Sequence, residues 1–152
     1  MTVQQMPGGR DPRPEAHVLE FEFPSDVRFI ERVVEAVRAE CKVMRYAERH
    51  ITLNVPVALT EALANAILCG NGDDPEKSVR VRAHVGSTRL VIEVTDEGLG
   101  FDLAACAVDP TTPDRLYHED GRGLFLMQKL MDHVERIEAQ RGNVVRMTLR
   151  RA

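Results

Sequence analysis

Polar and apolar residues alternate, or β-branched residues cluster, along five short segments of the chain, which predicts half-buried β-strands. The five segments are residues 17–23, 78–85, 89–96, 133–140 and 143–151. A short turn at Gly86–Ser87 joins the second and third, and Arg141–Gly142 joins the last two. Both pairs are therefore predicted to be β-hairpins.

Apolar residues recur at helical spacing in three other segments. A second helix is predicted over residues 55–71, ending beside Gly70, and a third over residues 123–132. The first helix is predicted within residues 24–47, where Ser25 or Asp26 can cap it. Its apolar positions are Val27, Ile30, Val33, Val34, Val37 and Cys41.

The predicted order of elements is β-α-α-β-β-loop-α-β-β. Because strand pairs and helices are segregated rather than alternating, this order predicts an α+β fold. We expect a two-layer sandwich, with a mostly antiparallel, mixed sheet and the helices on one face. One domain is expected over residues 17–151. Residues 1–16, which are rich in proline, glycine and charge, are expected to form a mobile tail.

Composition narrows the class of protein further. The chain has 152 residues, a net charge of -4 and a pI near 5.7, which argues against general nucleic-acid binding. No apolar run approaches the roughly 18 residues of a membrane span, and the N-terminus lacks a signal-peptide core. The three cysteines are far apart and are expected to be buried reduced thiols. A cytoplasmic protein without a membrane segment is therefore expected.

Two common nucleotide-binding motifs do not match the sequence. A Walker-type interpretation of residues 71–78 requires glycines where Asn71 and Glu76 stand, and it follows a predicted helix instead of a strand. A dinucleotide fingerprint requires a glycine at Leu103 or at Leu126, depending on its start. The antiparallel sheet argues against that motif as well.

One pair of polar residues lies on the predicted second helix. Glu61 and Asn65 are four residues apart and share a helical face at the edge of an apolar stripe. A carboxylate can accept a proton or orient a nucleophile, and an amide oxygen can bind Mg²⁺. Taken alone, the pair is also consistent with two solvated polar residues at the edge of a helix, without any role in binding.

Glycines follow the end of one predicted strand and precede the third helix. In residues 91–103, Asp96 ends a strand and is followed by Gly98 and Gly100. Such glycines form a tight turn, or they let a ligand approach the backbone closely. Gly121 and Gly123 precede a helix whose N-terminus can hold phosphate oxygens, although they also suit an ordinary helix start.

Taken together, the segments TEALANAILCGN, DEGLGFD and GRGLFLM resemble the N, G1 and G2 boxes of a known ATP-binding fold. DNA gyrase, histidine kinases and the heat-shock chaperone ATPases share this fold. The short single-domain form is most similar to the bacterial anti-sigma factor serine/threonine kinases. The resemblance implies that Glu61 activates the attacking hydroxyl, that Asn65 coordinates Mg²⁺, and that Asp96 accepts a hydrogen bond from the adenine amino group of ATP.

The same resemblance assigns roles to the glycines. Gly98 and Gly100 would make room for the base and for a lid, while Gly121 and Gly123 would hinge the lid and present amides to the phosphates. Arg122 would reach a terminal phosphate, although a solvated arginine fits that position as well. The sequence departs from the common pattern at Cys69, where relatives often carry a histidine.

The resemblance also implies partners. The expected function is phosphorylation of an antagonist protein at a serine or threonine, together with sequestration of a sigma factor. An ATP-controlled binding switch with little or no kinase activity is the alternative. A histidine kinase fragment is disfavoured, because residues 1–60 leave no room for the required helical hairpin. A homodimer is a further expectation.

The irregular stretch over residues 103–120 is expected to be functional because of its length. Its prolines Pro110 and Pro113, and its acidic residues, provide little apolar surface to bury. We therefore expect a lid that is mobile without nucleotide and becomes ordered over Mg·ATP.

Overall fold

The computed structural model describes residues 2–6, 16–98, 125–139 and 142–151. Within these ranges six strands form one sheet, in the order β1-β2-β3-β4-β6-β5. The strands are β1 (Thr2–Met6), β2 (Ala16–Pro24), β3 (Ser78–Gly86), β4 (Arg89–Asp96), β5 (His133–Ala139) and β6 (Gly142–Arg150). All five neighbouring pairs are antiparallel, so the α+β class is confirmed, but no parallel pair occurs among these strands.

Two main helices cover one face of the sheet. α1 (Ile30–Val43) follows a single 3₁₀ turn that Asp26 caps by accepting a hydrogen bond from the Arg28 amide. α2 (Val55–Ala64) is the α-helical centre of a longer helix, His50–Gly70, which we call the long helix. A short third helix, α3, covers residues 125–130 within the described part of the chain.

Both ends of the long helix are π-helical, over His50–Asn54 and Asn65–Gly70. At the first end the Val55 amide donates to the His50 carbonyl, five residues earlier. Pro56 follows, and it has no amide hydrogen to donate to the carbonyl four residues before it. The helix ends beyond Gly70, where Gly72 has a φ of +61°.

The core lies between the helices and one face of the sheet. Alternate residues of β3 and β4 are fully buried, and so is the sheet-facing side of both helices. The largest fully buried side chains come from both main helices, α3 and strands β2, β3, β4 and β6: Phe23, Val33, Val37, Val55, Leu59, Leu63, Ile67, Val79, Leu90, Ile92, Met127 and Met147. This packing explains the helical spacing found in the sequence, because only the apolar stripe of each helix faces the strands.

The other face of the sheet carries charged residues. Five of them stand side by side across five neighbouring strands with alternating sign, and we call them the charge row: Glu20, Arg82, Glu93, Arg146 and Glu135. Arg146 bridges two acids, with Nη2 at 2.8 Å from Glu93 and Nη1 at 3.1 Å from Glu135. The row is therefore an internally paired feature of the open face.

Strand β1 differs from the mobile tail expected over residues 1–16. Thr2–Met6 pairs with β2 in antiparallel register, from Thr2 opposite Glu22 to Met6 opposite Val18. Local sequence signals do not predict this strand, because a five-residue edge strand depends on the neighbour with which it pairs. The domain boundary at residue 17 stays a prediction.

The long helix also differs from an expectation, because by length and composition it could cross a membrane, with a mean hydropathy of 1.5. Core helices pass the same test, and half of this helix's apolar span is buried in the fold. Its buried residues include Val55, Ala58 and Leu59. The helix is apolar because it packs between α1 and the sheet.

The cysteines differ from one another. Cys41 is free and buried, and burial raises its pKa to about 12, as expected for an inert reduced thiol. Cys69 is disulfide-bonded, so the expectation of a reduced thiol is wrong at that position. Cys106 lies outside the described residues.

Candidate functional site

The C-terminal end of the long helix supplies one side of the candidate site. Asn65 begins the π-helical turn and is buried, and Gly70 ends it. Glu61 lies one turn earlier on the α-helical part, where it is half-buried. The i, i+4 arrangement predicted for Glu61 and Asn65 is therefore present, on the last two turns before the helix ends.

The end of strand β4 supplies the other side. The Asp96 carboxylate is only 6% exposed. Its Oδ1 accepts a hydrogen bond from the Gly98 amide at 2.8 Å and one from Asn143 Nδ2 at 3.4 Å. Burial raises the pKa of Asp96, and these hydrogen bonds, with the charge of Arg136, partly oppose that shift.

Two glycines allow these two sides to approach each other. A Cβ on Gly70 would lie 2.2 Å from Oδ2 of Asp96, and a Cβ on Gly98 would lie 1.9 Å from the Gly70 carbonyl oxygen. Neither contact leaves space for a side chain. Gly98 therefore serves close packing between the β4 end and the helix end, a role that the sequence pattern alone left open.

One small cavity connects the two sides. Its described lining residues are Ala62, Asn65, Ala66, Gly70, Val94, Asp96, Arg136, Asn143 and Val145. Two of the predicted site residues, Asn65 and Asp96, thus share one cavity although they lie 31 positions apart in the sequence. Glu61 is not among these lining residues.

The cavity is small, about 10 Å³ in volume, so it leaves room for no more than the edge of a ligand group beside Asp96. Its wall from the long helix consists of small residues, Ala62, Ala66 and Gly70, which leave room along the helix surface. At its end the Asp96 carboxylate can accept a hydrogen bond from an N–H group of a ligand. Small-molecule sites combine apolar walls with a few placed polar groups, and here Asn65, Arg136 and Asn143 border the cavity together with Asp96.

Sequence reasoning missed two residues of this cavity, Asn143 and Arg136. The Asn143 Oδ1 atom is buried and has no hydrogen-bond partner within the described residues. Asn143 stands opposite Asp96 because β4 pairs with β6, a pairing between two predicted hairpins that no local signal specifies. Arg136 reaches the cavity from β5, which neighbours β6.

The remaining predicted site residues lie outside the described residues. They are Gly100, Gly121, Arg122 and Gly123, together with the predicted lid over residues 103–120.

The family is settled by comparison with known proteins. Residues 23–149 match the model of the histidine kinase-like ATPase domain. This chain belongs to that family. The match spans from the end of β2 to the last strand and includes every described side of the cavity. The nucleotide of this family's site is ATP, in agreement with the resemblance of the three boxes.

Several characterised members of the family are similar to this chain along most of its length. The serine-protein kinase RsbW of Bacillus subtilis is 30% identical over 138 residues, covering 88% of this chain and 85% of its own. RsbW of Bacillus pumilus is 33% identical over 141 residues, covering 86% and 84%. An anti-sigma F factor of Thermoanaerobacter is 33% identical over 98 residues, covering 62% and 67%.

Proposed function

We propose that this chain is an ATP-dependent protein serine/threonine kinase of the anti-sigma factor type. In this proposal it phosphorylates an antagonist protein and also sequesters a sigma factor, so that the two partners compete. The printed names of the relatives, serine-protein kinase and anti-sigma F factor, support both halves of the proposal. The observation that carries it is the shared cavity of Asn65 and Asp96.

Asp96 is proposed to read the base. Its buried carboxylate accepts hydrogen bonds only, and the adenine amino group is a donor. The Gly98 amide and Asn143 hold one carboxylate oxygen, Oδ1. That arrangement orients the group before the nucleotide arrives.

Asn65 is proposed to hold the metal, and Glu61 to serve the chemistry. The Asn65 side chain faces the cavity and offers an amide oxygen, a ligand type that Mg²⁺ accepts. Bound Mg²⁺ would neutralise charge on the phosphates. Glu61 lies one turn earlier on the same helix and would accept the proton of the seryl or threonyl hydroxyl.

The proposed transfer step moves the γ-phosphoryl group of ATP to the antagonist. The hydroxyl oxygen of the antagonist forms a bond to the γ-phosphorus, and the bond from that phosphorus to the bridging oxygen breaks. ADP leaves with the electron pair of that bond, and the hydroxyl proton passes to Glu61. Gly100, Gly121, Arg122 and Gly123 remain proposed contacts of the phosphates and the lid.

The test of this proposal is label transfer from γ-labelled ATP to a purified candidate antagonist protein. Glu61→Gln should keep ATP affinity and lose about 10²–10⁴-fold in transfer rate, because it removes the proton acceptor. Glu48→Gln is the matched control, because Glu48 is exposed near the start of the long helix. Transfer by Glu61→Gln at the wild-type rate would remove the catalytic role of Glu61.

The same mixture separates the kinase from the alternative. Tight, ATP-dependent association with the antagonist, without any label transfer, would support an ATP-controlled binding switch instead. Adding a sigma factor should displace the antagonist if the two compete for one surface. A homodimer and a cytoplasmic location remain part of the proposal, and sedimentation of the purified chain tests the first.

A further inference from the structure

Asn71, the residue directly after the long helix, forms an unusually complete hydrogen-bond network. It is 1% exposed. Its Nδ2 donates to Ser25 Oγ at 2.7 Å and to the Ser78 carbonyl at 3.0 Å, while its Oδ1 accepts from the Glu97 amide at 2.7 Å. Its own amide donates to the Ala66 carbonyl at 2.8 Å. One side chain therefore joins the end of β2, the start of β3 and the residue after β4.

The partners fix the orientation of the Asn71 amide. The Glu97 amide can only donate and the Ser78 carbonyl can only accept, so the oxygen and nitrogen of Asn71 cannot exchange places. Ser25 contributes as well, because its hydroxyl donates to the Lys77 carbonyl at 2.8 Å and so accepts from Asn71. The network has a single arrangement.

Two neighbours of Asn71, Gly70 before it in the chain and its hydrogen-bond partner Glu97, flank the site. Asn71 follows Gly70, which contacts the Asp96 carboxylate, and its partner Glu97 lies between Asp96 and Gly98. The Gly98 amide in turn donates to Asp96 Oδ1. The bond from the Glu97 amide to Asn71 Oδ1 thus fastens the turn after β4 to the end of the long helix. Asn71 does not line the cavity itself.

We propose that Asn71 is a positioning residue for nucleotide binding. It holds the Asp96 carboxylate against the helix end that carries Asn65, and it raises the affinity for ATP without touching the nucleotide. This inference rests on the proposed function in that Asp96 reads the base of ATP. A misplacement of about 1 Å in an active site can lower the rate of an enzyme by up to about 10²-fold. Because Asn71 holds the Asp96 turn only indirectly, we expect Asn71→Ala to have a smaller effect and to weaken ATP binding by about tenfold.

A double-mutant cycle separates positioning from general stabilisation. ATP affinity is measured by calorimetry for the wild type, Asn71→Ala, Asp96→Asn and the double variant. If Asn71 acts through Asp96, its replacement should cost less than about twofold once Asp96 is already asparagine, because residues that act as a unit are not additive. A full tenfold loss in both backgrounds would overturn the proposal.

Asn54→Ala is the matched control at the other end of the same helix. Asn54 is also a buried asparagine, and its Nδ2 donates to the Leu130 carbonyl at 2.6 Å. Both alanine variants should unfold at lower temperature, but Asn54→Ala should keep wild-type ATP affinity. Equal losses of affinity in the two variants would mean that Asn71 contributes stability alone, and the proposal would fail.

Hydrogen exchange without nucleotide provides a readout that does not depend on ATP. Asn71→Ala should speed exchange at the Glu97 and Gly98 amides, and Asn54→Ala should not; unchanged exchange at both amides would overturn the proposal. Should Asn71→Ala not fold, Ser25→Ala removes one acceptor and should give the same two effects at smaller size. A chain that binds ATP but transfers no label would refute the proposed kinase and leave this inference intact.

Discussion

The two ends of the long helix have the same backbone distortion but different surroundings. The first end, His50–Asn54, is followed by Pro56, whose missing amide hydrogen explains why the α-helical ladder is interrupted there. The second end, Asn65–Gly70, contains no proline. It lies against Asp96 instead, and it begins at a residue that lines the cavity. The proline explains the distortion at the first end, whereas the second end borders the candidate site.

The two ends of the helix differ in what their buried asparagines hold in place. Each end is held by a buried asparagine, but Asn54 binds the α3 backbone whereas Asn71 binds the turn after β4. π-Helical turns occur frequently at functional sites, and here one begins at Asn65, which lines the cavity. We therefore expect changes at the second end to affect nucleotide binding, and changes at the first end to affect stability.

The largest effect is expected from Gly98→Ala. The new Cβ would lie 1.9 Å from the Gly70 carbonyl oxygen, so backbone must move on one side of the cavity. ATP affinity measured by calorimetry should fall by about 10²-fold or more. Gly72→Ala is the control, because a Cβ there meets nothing within 4 Å and only its φ of +61° is unfavourable. If Gly98→Ala binds ATP as tightly as the control does, the close contact is unimportant for binding.

Asp96→Asn should have the next largest effect, and it should act in opposite directions on binding and stability. Replacing an acceptor by a mixed donor and acceptor should weaken ATP binding by about 1–3 kcal/mol. Burial raises the Asp96 pKa, so the ionised carboxylate costs folding free energy at neutral pH. The free energy of unfolding without ATP should therefore stay equal or rise in urea titrations. Equal ATP affinity would contradict the base-reading role.

The pH dependence of binding should show a smaller effect with a defined sign. Because the folded pKa of Asp96 lies above its ordinary value, the carboxyl takes up a proton as the pH falls through that raised pKa. The neutral form is a poorer acceptor, so the advantage of the wild type over Asp96→Asn in ATP affinity should shrink as the pH is lowered from neutral through the acid range. Protonation of ATP itself cancels in this ratio. A constant ratio would show that Asp96 does not titrate in that range.

The smallest effect is expected from Pro56→Ala at the first end. The variant restores an amide hydrogen to the helix, so the free energy of unfolding should change by about 1 kcal/mol or less, since gains in hydrogen bonding oppose greater freedom of the unfolded chain. ATP affinity should be unchanged. A loss of affinity beyond about threefold would mean that the two ends of the helix are coupled.

Much of the fold could be predicted because its signals are local. The predicted strands 78–85 and 89–96 agree within one residue with β3 and β4, since each alternates in burial and a short turn joins them. The predicted second helix, residues 55–71, ends within one residue of the long helix but starts five residues later. A proline at position 56 is typical of the first turn of a helix, which explains the late start of the prediction. Here the helix continues through this proline.

The parts that could not be predicted depend on contacts between distant residues. Asn143 lies 47 positions after Asp96 and reaches it only because β6 pairs with β4. In the sequence, Asn71 stands out only as a mismatch to a phosphate-binding motif. Its three side-chain partners, Ser25, Ser78 and Glu97, come from separate segments of the chain. The hydrogen-bond partners of a buried asparagine are set by the tertiary structure, so they cannot be identified from a single sequence.

The charge row on the open face of the sheet constrains how this chain can change over generations. Arg82 and Arg146 each stand between two acids, whereas Glu20 and Glu135 at the ends of the row each have one arginine beside them. A reversal of sign at a central position therefore sets two like pairs side by side, and at an end only one. Each exposed pair contributes about 0–1 kcal/mol, so a single reversal should lower the free energy of unfolding only slightly. Reversing the signs of an adjacent central couple still sets two like pairs side by side at its flanks, so only a reversal of the whole row keeps every neighbour opposite in sign.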